Sequence, residues 1–130
     1  MTKETVHVEG ISEATKSAGI PLSTAIKAGG FVFVSGLPPI DRKTGQLVRA
    51  DIVRQTETCL ENIKATVEAA GSSLDKVVKV TVYVSNSAYY STINTIYARY
   101  FQSNPPARTF ITVGSWPREF DIEIECIALA

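Results

Sequence analysis

Apolar positions along the chain switch between two periods. "AIKAGGFVFVSG" sets two glycines before an apolar run, which predicts a hairpin with strands over 23–28 and 31–35. From Asp51 the spacing lengthens, and Ile52, Thr56, Cys59, Leu60, Ile63, Val67 and Ala70 recur at three- and four-residue steps. That is one face of an amphipathic helix, capped by Asp51 and stopped by Gly71. "VVKVTVYVS" returns to period two and puts Val78, Val80, Val82 and Val84 on one strand face. A second helix follows "SNS", with Tyr90, Ile93, Tyr97, Tyr100 and Phe101 along one stripe before Pro105 ends it. "RTFITV" and "FDIEIECIA" close the chain as strands. The predicted order is β-β-α-β-α-β-β, with an optional first strand at "VHVE". It describes a single α+β domain over 1–130, one sheet with two helices packed on it.

The same pattern predicts more than a fold. In "FVFV" both alternating faces are apolar, and in "VTVYV" a tyrosine stands among the residues opposite the valines. Two helices cover only one face of such a sheet. The other face needs a partner, so an oligomer is expected in which sheets pack around a shared interior.

Composition narrows the function classes. Thirteen Lys and Arg balance thirteen Asp and Glu, which weighs against a nucleic-acid partner, because such partners select a basic excess or stripe. Cys59 and Cys126 stand far apart, and His7 is the only histidine, so no metal site is expected. Two reduced core thiols in a cytoplasmic protein are the simpler expectation. No apolar run approaches the length of a membrane span.

The residues with chemical potential lie late in the chain. Arg108 opens the apolar run of "PPARTFITV", sharing a strand face with Phe110 and Thr112. Its guanidinium suits a carboxylate, of the protein or of a small acid. In the last strand Asp121, Glu123, Glu125 and Ile127 alternate with Phe120, Ile122, Ile124 and Cys126. Those carboxylates either solvate an outer face or turn one oxygen pair into a pocket near Arg108. Gly36, after Ser35 at a strand end, either allows close approach of a ligand to the backbone or makes a turn. Asn94 interrupts the apolar stripe of the second helix, either as a surface residue or as one reaching a pocket. Trp116, in "GSWPRE", reads as packing, and His7 shows no partner.

Taken together, "FVFVSGLPP", "QTETCLENIKATVEAAGSSLDKVVKVTVYV", "INTIYARYF", "PPARTFITV" and "IEIECIA" resemble the reactive-intermediate deaminase (RidA-like, L-PSP) family from about Ala25 to the C-terminus. The resemblance implies a chorismate-mutase-like fold, with three sheets closing a barrel in a homotrimer and ligands held in clefts between subunits. It implies cofactor-independent hydrolysis of a 2-imino or enamine acid to the 2-keto acid and ammonia. By the same resemblance Arg108 grips the substrate carboxylate and Glu123 positions the attacking water. Gly36 offers a backbone group, Asn94 supplies the helix amide, and the main chain at Thr109 and Phe110 lines the site.

Two positions depart from the family pattern. Leu22, in "GIPLSTAI", stands where many deaminating members carry a tyrosine, and Phe110 stands where many carry a cysteine. Both enlarge the apolar character of the cleft. They suit a larger substrate, such as an amino-dienoic acid of the 2-aminomuconate type, or a trimer that binds small carboxylic acids without turnover. Ribonuclease activity, also attributed to the family, fits poorly with the balanced charge.

Overall fold

The computed structural model describes residues 2–130, and its centre is one mixed sheet of six strands. In chain order these are β1 (Glu4–Val6), β2 (Ala25–Ala28), β3 (Phe31–Leu37), β4 (Val77–Val84), β5 (Ala107–Thr112) and β6 (Ile122–Leu129). Across the sheet the order is β1-β2-β3-β6-β4-β5. β4 and β5 run parallel, and every other neighbouring pair is antiparallel.

Gly29 and Gly30 make the β2–β3 hairpin possible. Both hold positive φ, 60° and 85°, as a two-residue turn matched to the twist of the strands requires. α2 (Ile52–Ala69) begins where Asp51 accepts a hydrogen bond from the Arg54 N–H at 3.0 Å, and Gly71 at φ 82° follows its end. α3 (Tyr90–Tyr100) connects the parallel pair, since parallel neighbours cannot be joined by a tight turn.

Both long helices cover the same face. Cys59, Leu60, Ile63 and Val67 of α2, with Ile93 and Ile96 of α3, bury against Val32, Val80, Val82, Ile122 and Ile124. Each such side chain contributes roughly 1.5–3 kcal/mol on leaving water. The opposite face has no cover: Phe31, Phe33, Ile111 and Leu129 remain exposed there.

Three details differ from the sequence expectation. A short third helix, α1 (Ile11–Ser17), precedes the hairpin; it buries only Ile11, too little to print a helical period. Val78 does not share the face of Val80, Val82 and Val84. Val77 pairs with Ala128 and Lys79 with Ile127, so an irregularity turns Val78 outward at 40% exposure. His7 does have a partner, with Nε2 3.3 Å from a Glu13 oxygen.

Candidate functional site

Glu123 and Gly36 are brought together by a break in strand pairing. Val34 pairs with Cys126 and Leu37 with Ile124, so Ser35 and Gly36 share the place opposite Glu125 alone. This bulge lays Gly36 against the Glu123 carboxylate. A Cβ built on Gly36 would lie 2.5 Å from Glu123 Oε2, so only glycine leaves the carboxylate where it is. The Ser35 hydroxyl donates to the Ser23 carbonyl at 2.7 Å and ties the bulge to the segment carrying Leu22.

Gly36, Glu123 and Leu22 border a cavity of about 250 Å³, lined also by Ile20, Trp116 and Phe120. Leu22 is largely exposed at its edge. Glu123 is half-buried. Burial raises its carboxyl above the usual range, and the neighbouring Glu125 charge adds to the rise. Glu125 itself accepts a hydrogen bond from the Tyr83 hydroxyl across the strand pair.

Arg108 occupies a second, aromatic setting on the edge strand β5. Its guanidinium carbon lies 4.8 Å from the centre of the Tyr97 ring, 5.8 Å from Tyr90 and 5.9 Å from Phe110. Phe110 meets Tyr90 edge to face at 4.8 Å. Such contacts hold a cation without neutralising it. No carboxylate of the described residues forms an ion pair with Arg108, so its fork keeps its donors for another acid. Burial pushes the Tyr97 phenol up to about 12, with the Arg108 charge opposing the shift.

Asn94 belongs to this second cluster. Tyr90, Asn94 and Tyr97 stand at i, i+4 and i+7 on α3 and so share one stripe. The Asn94 Oδ1 is buried without a hydrogen-bond partner among the described residues. Thr109 points to the uncovered face instead, where its hydroxyl accepts from Lys79 Nζ at 2.7 Å. Because β5 pairs only with β4, the outward backbone groups around Thr109 and Phe110 have no strand partner.

The expectation of a carboxylate beside Arg108 fails within one chain. Arg108 pairs with Val80 and Phe110 with Val82, both core-facing, whereas Glu123 pairs with Tyr83 on the uncovered face. Alternation along each strand was readable, but the parity linking β5 to β6 is set by register through β4. The structure thus collects Leu22, Gly36 and Glu123 in one cluster and Arg108, Asn94 and Phe110 in another. Trp116, which the sequence reads as packing, and Phe120 line the cavity beside Glu123, and Tyr90 and Tyr97 of the apolar helix stripe surround the Arg108 guanidinium. The i, i+4, i+7 stripe through Asn94 was the available signal for the tyrosines. Among the described residues, no three His, Cys, Asp or Glu side chains gather as a metal site. No helix is long and apolar enough to cross a membrane.

Comparison with known proteins gives a consistent picture. The profile of the family described as Endoribonuclease L-PSP matches residues 12–130. A RutC family protein of Pyrococcus horikoshii is 48% identical over 126 residues, covering 97% of each chain. Reactive Intermediate Deaminase A, chloroplastic, of Arabidopsis thaliana is 40% identical over 97% of this chain and 65% of that protein. The crystal structure of Escherichia coli TdcF with bound serine superposes with a TM-score of 0.80 at 35% identity, covering 85% of this chain and 88% of the other.

Proposed function

Since the chain belongs to the L-PSP family of RidA-like proteins, we propose that it is a homotrimeric deaminase whose active site is completed across a subunit boundary. Arg108 of one subunit and Glu123 of its neighbour would face one cleft there. One observation carries this reading: an unpaired arginine and a half-buried carboxylate lie on opposite faces of one sheet. A second copy that sets the Arg108 end of its edge strand β5 against this chain's Glu123 brings the two groups into one cleft. The serine bound to the similar TdcF supports a small amino-acid-like ligand.

The reaction is hydrolysis of a 2-imino acid, or of its enamine tautomer, to the 2-keto acid and ammonia. Arg108 holds the substrate carboxylate through two parallel hydrogen bonds, which fixes the imine carbon. Water adds to that carbon while Glu123 accepts its proton. Glu123 returns that proton to the nitrogen of the resulting carbinolamine, and as the C–N bond breaks the hydroxyl gives up its own proton and becomes the keto oxygen, so that ammonia leaves. A carboxylate raised toward neutral pH is the better base for this step, an effect typically worth ~10²–10⁴-fold in rate. Gly36 leaves space for that carboxylate, and Asn94 offers an acceptor beside the guanidinium. No cofactor enters the scheme.

The test generates iminopropionate or iminobutyrate in a coupled assay and follows ammonia release. The wild type should accelerate it and Arg108→Ala should not. Undiminished release by Arg108→Ala would refute the assignment. A second reading, a carboxylate-binding trimer without turnover, is favoured by Leu22 and Phe110, which bring no hydroxyl or thiol to the cleft. Ligand binding with no imine hydrolysis would select it.

A further inference from the structure

Trp116 is the only tryptophan in the chain, and the proposed hydrolysis makes no use of it. Its ring lies 4.5 Å from that of Phe120, centre to centre, at 35°. With Ile20, Leu22 and Leu47 this pair lines the cavity of about 250 Å³ that also reaches Gly36 and Glu123. Ile20 and Leu22 are 42% and 47% exposed, an unfavourable display of large aliphatic groups unless something apolar covers them. An apolar cavity of about 150 Å³ encloses benzene, so this one accommodates a benzyl, indolylmethyl or branched alkyl group. The methyl of iminopropionate would leave most of it to water.

We propose that Trp116, Phe120 and Leu22 form a side-chain subsite selecting 2-imino acids with a large apolar or aromatic side chain. The assignment rests on the imine-hydrolysis reading, in which the reacting carbon stands beside Glu123. With the substrate carboxylate turned toward the neighbouring subunit's arginine, the substituent on that carbon points into the cavity. Arg118 also borders the cavity, but it is exposed and solvated. The facing aromatic pair offers a carbon surface, so a neutral substituent is favoured over a second carboxylate.

Two measurements test the subsite. The first compares imines produced by an amino-acid oxidase from alanine, leucine, phenylalanine and glutamate. The wild type should favour the phenylalanine imine over iminopropionate by about tenfold or more in kcat/KM, the scale on which apolar pockets discriminate. Trp116→Ala should reduce that ratio about tenfold. The second follows Trp116 emission as 3-phenylpropanoate or propanoate is added to the wild-type protein. A shift with the aromatic acid only, at equal concentration, is expected.

Iminopropionate turned over as fast as the phenylalanine imine would overturn the subsite while leaving the deaminase reading in place. A preference for the glutamate imine would overturn its apolar character. An emission unmoved by 3-phenylpropanoate would contradict ligand entry into the cavity. No hydrolysis of any imine, with the emission shifted, would overturn imine selection together with the reading it rests on.

Discussion

Arg108 and Glu123 stand on opposite faces of one sheet: Arg108 pairs with core-facing Val80, and Glu123 with Tyr83 on the open side. A strand side chain cannot cross its own sheet, so joint action of the two requires a second chain. The open face is suited to receive one, because Phe31 and Phe33 there are large, adjacent and exposed.

The association should therefore be strong and apolar. Light scattering should give three times the 14.1-kDa chain mass, unchanged on dilution through the micromolar range. Phe33→Glu, which places a charge in the contact, should yield smaller species and lose activity together with assembly. A wild-type chain that is monomeric throughout would be inconsistent with the packing of sheets.

Gly36→Ala probes the Glu123 position without a backbone penalty, since Gly36 lacks the positive φ that would exclude alanine. The new methyl must displace the Glu123 carboxylate. A shift of about 1 Å in a reacting group costs on the order of 10²-fold. We expect kcat to fall on that scale while assembly persists, measured by ammonia release and light scattering. Unchanged kcat would show that the carboxylate position is immaterial.

The raised Glu123 carboxyl gives two pH signatures. Its base form is needed for the water step, so kcat/KM should rise with pH along a limb above the ordinary value of 4.5. Stability should run the other way. The native carboxyl keeps its proton to higher pH than the unfolded one, so stability falls as pH rises through that window. Glu123→Gln should melt at a higher temperature than wild type at pH 7, with the difference closing toward pH 4. A lower melting temperature at pH 7 would contradict net destabilisation by the buried charge.

Gln55 fixes the start of the strand that carries Glu123. Its Nε2 donates to the Ala50 carbonyl at 2.8 Å and to Asp121 Oδ2 at 3.0 Å, and its Oε1 accepts from the Asp121 N–H at 2.8 Å. Gln55→Ala removes all three hydrogen bonds of a buried amide and leaves the half-buried Asp121 N–H without its acceptor, at a cost of about 1–3 kcal/mol. Urea unfolding should show this as a lower midpoint; an unaltered midpoint would mean that water replaces the amide.

How much of this was legible in the sequence follows from where the information resides. The α2 period, the Gly29–Gly30 turn and the alternation of β6 are local, and each predicted its element. The helix α1 was not, because one buried residue, Ile11, carries no period. The individual residues Arg108, Glu123, Gly36 and Asn94 could be singled out from type and family resemblance. Their division into two separate clusters could not, since it depends on the pairing of β4 with both β5 and β6. The apolar surroundings of Glu123 were hidden for a similar reason: Leu22 and Trp116 are far apart in the chain and meet only after the sheet forms.

The most direct measurement mixes two inactive variants. Arg108→Ala keeps a sound Glu123, and Glu123→Gln keeps a sound Arg108, so a cleft shared between unlike subunits can be whole. Unfolded together in equal amounts and refolded, a cyclic assembly with random neighbours regains about a quarter of the wild-type sites. Ammonia release from iminobutyrate near a quarter of the wild-type rate is the predicted result, with each variant refolded alone giving almost none. A mixture as inactive as its components would contradict a site shared between chains.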